Sequence, residues 1–185
     1  MKRILAILLV CMLALSGCAE EPAPQAPKED AHENSERAEA SPLIPKLSTT
    51  DVDGNTVDNS LFKEHKLTLF NIWATYCGPC LGEMPDLGAL NREYADQGVQ
   101  VVGLILDYTS EQDLPTIRTL IDETEADYIH LLPNETMIEL MQNTYSVPTT
   151  YFLDENGAPI GEEYIGSRSK DAWASIIDSL LEEME

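Results

Sequence analysis

Residues 67–73 read Leu-Thr-Leu-Phe-Asn-Ile-Trp, apolar at nearly every position. A strand covered on both faces carries such a run, whereas a strand with one wet face alternates. Residues 99–106, Val-Gln-Val-Val-Gly-Leu-Ile-Leu, predict a second buried strand of the same kind. Between the two a helix is expected over residues 78–96, kinked at Pro85 and ended by Gly98. Ser110 to Asp113 offer a side-chain cap and early acids for a helix running to Thr124. Residues 128–132 form a short third strand in this reading, and Asn134 caps a helix with Met137, Leu140 and Met141 on one side. Residues 149–153 and 158–164, joined by Asn156-Gly157, predict an antiparallel pair. A last helix over 169–184 spaces Trp173, Ile176, Ile177, Leu180 and Leu181 along one face. Ahead of all these, Asp53-Gly54 marks a hairpin turn between two short strands. The order β-β-β-α-β-α-β-α-β-β-α predicts an α/β fold, a mixed central sheet flanked by helices on both faces.

The N-terminus follows another pattern. Lys2 and Arg3 precede twelve apolar residues, 4–15. That is short for a membrane span of about 20 residues and suits a secretory signal. Leu15-Ser16-Gly17-Cys18 then resembles the bacterial lipobox. The resemblance implies that residues 1–17 are removed and Cys18 is lipidated; an ordinary signal peptide with an incidental cysteine is the plainer alternative. From 19 to 45 the chain holds five of its eleven prolines, no aromatic residue, and seven acids against two bases. Such a stretch buries too little apolar area to offset the entropy of ordering, so residues 18–45 read as a flexible acidic linker. Leu43 and Ile44 fall at its edge, and the folded domain is expected over 46–185.

With 185 residues, 43% of them hydrophobic, the chain has room for one such domain. Its 33 acidic and 11 basic residues give a net charge of -22. Nucleic-acid binding needs a basic face and is excluded, and an electrostatic grip on anionic lipid is not expected either, which leaves anchoring to the lipid.

Cys77-Gly78-Pro79-Cys80 lies where the first buried strand gives way to a helix. Backbone N–H groups of a first helical turn point at a sulfur placed there, and the helix dipole adds partial positive charge. Both favour the thiolate, the attacking species, so Cys77 is the expected nucleophile. Cys80, three residues on, is placed to resolve a mixed disulfide formed at Cys77, which makes Cys77–Cys80 the expected redox disulfide. A zinc site is not expected: no second cysteine pair exists, and His32, His65 and His130 lack ligand spacing. Nor does a three-residue bridge close a loop large enough to serve as a structural staple. No cofactor is implied.

Trp73-Ala74-Thr75-Tyr76-Cys77-Gly78-Pro79-Cys80 after a buried strand resembles the active-site segment of the thioredoxin superfamily. The lipobox, the preceding hairpin and an inserted αβ segment around 107–131 make the chain similar to its membrane-anchored TlpA/ResA branch. That resemblance implies a thioredoxin-like fold over 46–185 and a cis peptide bond before Pro148, in Val147-Pro148-Thr149, opposite the cysteines. It implies a substrate surface at Val147, Pro148, Trp73 and Tyr76. The two aromatics would pack around the motif rather than react, with Tyr76 exposed beside Cys77. Cys80-x-x-Glu83-x-Pro85 matches an acidic position of the ResA-like group and implies that Glu83 relays protons during exchange; an ordinary first-turn acid is the alternative. Where thioredoxins carry a buried Asp, six residues before the first cysteine, this chain has Asn71, which cannot relay a proton. Implied by the resemblance are a lipid-anchored extracytoplasmic thiol–disulfide oxidoreductase, exported disulfide-containing substrates such as apocytochrome c or oxidised surface enzymes, and a membrane electron donor of the CcdA/DsbD kind. A disulfide-forming oxidant using the same pair, or a non-catalytic partner-binding lipoprotein, remain the alternatives.

Overall fold

The computed structural model describes residues 41–185. The signal segment, Cys18 and most of the linker lie outside the described residues. A two-stranded antiparallel hairpin comes first, β1 (Ser48–Thr50) and β2 (Thr56–Asp58), turning through Gly54 at φ +87°. A one-turn helix, α1 (Ser60–Lys63), follows; four residues are too few for a helical period to be seen in the sequence. Then come β3 (Leu67–Trp73), α2 (Gly78–Glu93), β4 (Val99–Ile105), α3 (Leu114–Glu123), β5 (Ile129–Leu131), α4 (Ile138–Asn143), β6 (Thr149–Leu153), β7 (Tyr164–Ile165) and α5 (Lys170–Glu183). The main sheet runs β5-β4-β3-β6-β7, with β3, β4 and β5 parallel and β6 and β7 antiparallel to their neighbours.

Every residue of β3 and β4 is buried, as their continuous apolar runs require. On one face Phe70, Ile72, Val102 and Leu104 pack against the hairpin, α1 and α4 through Val57, Phe62 and Leu140. On the other, Leu67, Leu69, Val99 and Val101 meet α2 and α5 through Leu87, Leu90, Trp173 and Ile177. Ile44 is buried in the first of these clusters, and Leu43 N–H donates to Gly157 O, so the packed region takes in the edge of the linker.

Several elements differ from expectation; Asn134, for one, caps a 3-10 turn at Glu135–Met137 that precedes α4, and α2 stops at Glu93. The strand predicted over 158–164 is confined to Tyr164–Ile165. Ile160 N–H still reaches Phe152 O at 2.8 Å, but Pro159 has no N–H for a ladder and Gly161 turns to φ +73°, so the chain bows away and returns. The helix predicted from Ser110 starts later. Ser110 and Asp113 form a capping box around a 3-10 turn at Glu111–Asp113, and α3 begins beyond it with Pro115 in its first turn. No helix among the described residues is long and apolar enough to cross a membrane.

Candidate active site

Cys77 stands immediately before α2, its backbone extended (φ -89°, ψ 93°), with Pro79 in the helix's first turn. Its Sγ accepts the Cys80 N–H at 3.2 Å, so one of the free amides of the helix start is aimed at the sulfur. Cys77 and Cys80 are joined as a disulfide across a Cα–Cα distance of 5.3 Å. Cys77 is 6% exposed and Cys80 wholly buried, so a partner approaching from solvent meets the first sulfur and not the second.

The Val147–Pro148 bond is cis. Val147 packs against the cluster that holds both cysteines, and Pro148 O accepts the Gly166 N–H from the end of β7 at 2.9 Å. Tyr76, beside Cys77, is 73% exposed. Trp73 corrects the expected substrate surface: it is 0% exposed and cannot touch a substrate. The pleat turns it inward, where its Nε1–H donates to His130 Nδ1 at 3.2 Å.

Cys80, Glu83, Met84 and Leu87 belong to the buried side of α2. Glu83 is 2% exposed and takes three donors: Asn71 Nδ2 at 3.1 Å on one oxygen, and the Arg168 N–H at 3.0 Å and Trp173 Nε1 at 3.3 Å on the other. The Arg168 guanidinium stacks over Tyr164 and Trp173, 4.9 and 5.0 Å from the ring centres. Burial raises the pKa of Glu83 above the ordinary carboxylate value despite these donors and the Arg168 charge, because loss of water costs the ionised form more than they return.

Below Glu83 a row of residues runs across the sheet in register: His130, Gly103, Asn71 and Thr150. Asn71 Nδ2 also donates to Thr150 Oγ1 at 3.0 Å, and its Oδ1 is buried with no hydrogen-bond partner. His130 Nε2 pairs with Ala126 O at 3.0 Å and must carry the proton, since Nδ1 receives the Trp73 N–H. Burial pushes the His130 pKa down to about 4, so the ring is neutral near pH 7. Gly103 makes room for it, since a Cβ there would stand 2.5 Å from His130 Nδ1. Sequence spacing could not reveal this row, because the strands that supply it are far apart in the chain. Its one legible sign was a polar amide, Asn71, inside a largely apolar run. Among the described residues no group of three or more His, Cys, Asp or Glu is arranged to hold a metal ion.

Once reduced, such a pair has an outer sulfur stabilised as thiolate by a helix-start amide and an inner sulfur within bonding reach, which is what two-step thiol–disulfide exchange needs. The mixed sheet, the helix-start cysteines and the cis-proline strand place the protein among the thioredoxin-like thiol–disulfide oxidoreductases. More narrowly, the chain belongs to the Redoxin family, whose model matches residues 38–164. It is similar to the thiol:disulfide interchange protein DsbE of Vibrio cholerae, 31% identical over 99% of this chain and 96% of that protein. It is also similar to the thiol-disulfide oxidoreductase ResA of Oceanobacillus iheyensis, 33% identical over 60% of this chain and 56% of ResA. A thiol:disulfide interchange protein of the thioredoxin family from Chlorobium tepidum superposes with a TM-score of 0.64 at 26% identity, over 78% of this chain and 98% of that one.

Proposed function

We propose that this oxidoreductase works as a reductant of disulfides in exported proteins, held outside the cytoplasm by a lipid on Cys18 after removal of residues 1–17, with the linker from 18 up to the packed Leu43 as its tether. In its reduced state the Cys77 thiolate attacks one sulfur of the substrate disulfide; that S–S bond breaks and a substrate thiolate leaves. Cys80, deprotonated, then attacks Cys77 in the mixed disulfide, the second substrate thiolate departs, and the Cys77–Cys80 bond is left behind. Two electrons have passed to the substrate, and a membrane dithiol of the CcdA/DsbD kind returns them. Glu83 takes up or supplies the proton of the inner thiol. Val147, Pro148 and exposed Tyr76 form the surface against which the substrate chain lies. Exported cytochrome apoproteins and oxidised surface enzymes fit the role.

The observation that carries this reading is the asymmetry of the pair, an outer sulfur on a helix-start amide and an inner one closed to solvent. Gly78-Pro79 between the cysteines favours reduction over oxidation as the direction of work. Reduction of insulin by dithiothreitol checks the activity: the domain should accelerate it and Cys77→Ser should not. Equilibration with glutathione checks the direction, since an equilibrium like that of strong oxidants would reverse it. In cells, Cys80→Ser should accumulate partners covalently attached at Cys77, and recovery of none would count against exported proteins as substrates.

A further inference from the structure

Residues 74–76 link β3 to α2. The Cys77 N–H closes this link on Ala74 O at 3.0 Å, but nothing within it receives the Thr75 N–H or hydroxyl. Both go to one carboxylate from another part of the chain. Asp107 accepts the Thr75 N–H at 3.0 Å on Oδ1 and 3.2 Å on Oδ2, and the Thr75 hydroxyl at 2.5 Å on Oδ2. The sheet makes this possible. Trp73 and Ile105 are register partners at the ends of β3 and β4, and Leu106 N–H donates to Trp73 O at 2.8 Å. The two strands therefore leave the sheet side by side, and Asp107 spans from one exit to the other. Bonds from two donors to an ionised acceptor fix orientation as well as distance.

We propose that Asp107, acting through Thr75, is a positioning residue for Cys77, holding the loop so that the sulfur stays on the Cys80 N–H at the start of α2. This rests on Cys77 being the attacking thiol. Asp107 touches no reacting atom. Its charge works against a nearby thiolate, so the service of Asp107 is geometric. Removing the carboxylate changes charge and geometry with opposite signs. Removing the Thr75 hydroxyl changes geometry alone, and the test belongs there.

Thr75→Val keeps the shape and the N–H but deletes the hydroxyl; Thr75→Ser restores it. At pH 7, Cys77 in reduced Thr75→Val should be alkylated about three- to tenfold more slowly than in the wild type, as a loosened loop loses thiolate. The equilibrium with glutathione should move toward the disulfide by a similar factor, because the reduced form has lost its stabilisation. Amide hydrogen exchange at Cys77 should quicken, and Thr75→Ser should behave within about twofold of the wild type on all three measures. Equal alkylation of Thr75→Val and wild type overturns the positioning role and leaves the nucleophile standing. A loss shared equally by Thr75→Ser also overturns it, since the hydroxyl would then be irrelevant. A wild-type Cys77 no more reactive than free cysteine overturns both this proposal and the nucleophile on which it rests.

Discussion

Glu83 receives three hydrogen bonds and still holds its proton more tightly than a carboxyl in water, because loss of solvent outweighs the donors around it. A group in that condition exchanges protons at higher pH than ordinary acids do, which suits work on a buried thiol. Asn71, whose Nδ2 binds Glu83, leaves its own Oδ1 buried with no partner. Glu83→Gln removes the titration and sets an NH2 among groups that donate. Thiol exchange should fall by roughly tenfold or more, and the pH–rate profile should lose the limb that Glu83 supplies. A uniform loss of rate with the limb intact would make Glu83 a packing residue. The sequence placed this acid on the helix but could not show its burial, which depends on Trp173 and the Arg168 backbone arriving 85 to 90 residues later.

At the scale of elements, α2 can bury Glu83 because the sheet beneath it offers Asn71 of β3, itself bound to Thr150 of β6. His130 of β5 continues the same row, and β4 contributes an opening at Gly103. The register is tight there: a Cβ on Gly103 would stand 2.5 Å from His130 Nδ1 and 3.1 Å from Trp73 Nε1, whose mutual hydrogen bond joins the end of β3 to β5. Gly103→Ala should therefore cost about 1–3 kcal/mol by overpacking. Urea denaturation would measure the loss, and a near-neutral result would show that the row can shift. The strands themselves were legible from apolar runs, but the missing strand at 158–163 was not. The signals against it, Pro159 and Gly161, sit inside a segment that otherwise reads as extended, and its outcome was decided by how β6 could be met at the sheet edge.

For the whole molecule, two buried groups give stability opposite dependences on pH. His130 has a folded pKa depressed to about 4 from 6.5, so its contribution is complete above 6.5 and is lost as pH falls toward 4. At 1.36 kcal/mol per unit this is on the order of 3 kcal/mol. Glu83 has a raised folded pKa, so its contribution is complete below 4.5 and is lost as pH rises through the folded value. Urea midpoints between pH 7 and 4 should fall more steeply for the wild type than for His130→Gln, which keeps an acceptor for Trp73 and a donor for Ala126 without a titrating ring. Parallel curves would mean that His130 does not carry the acid limb. The comparison cancels the self-repulsion of so acidic a chain, which acts on both proteins alike.

The order of elements, the α/β class and the cysteine pair at a helix start could be read from residues 67–80 and the apolar periods beyond, because burial on two faces and helical spacing are local properties of sequence. The depth of Trp73, the carboxylate that Asp107 lends to Thr75, and the polar row beneath Glu83 could not. Each joins segments far apart in the chain, whether the strands β3, β5 and β6 or the loops that leave β3 and β4, and only closing the sheet brings the partners together.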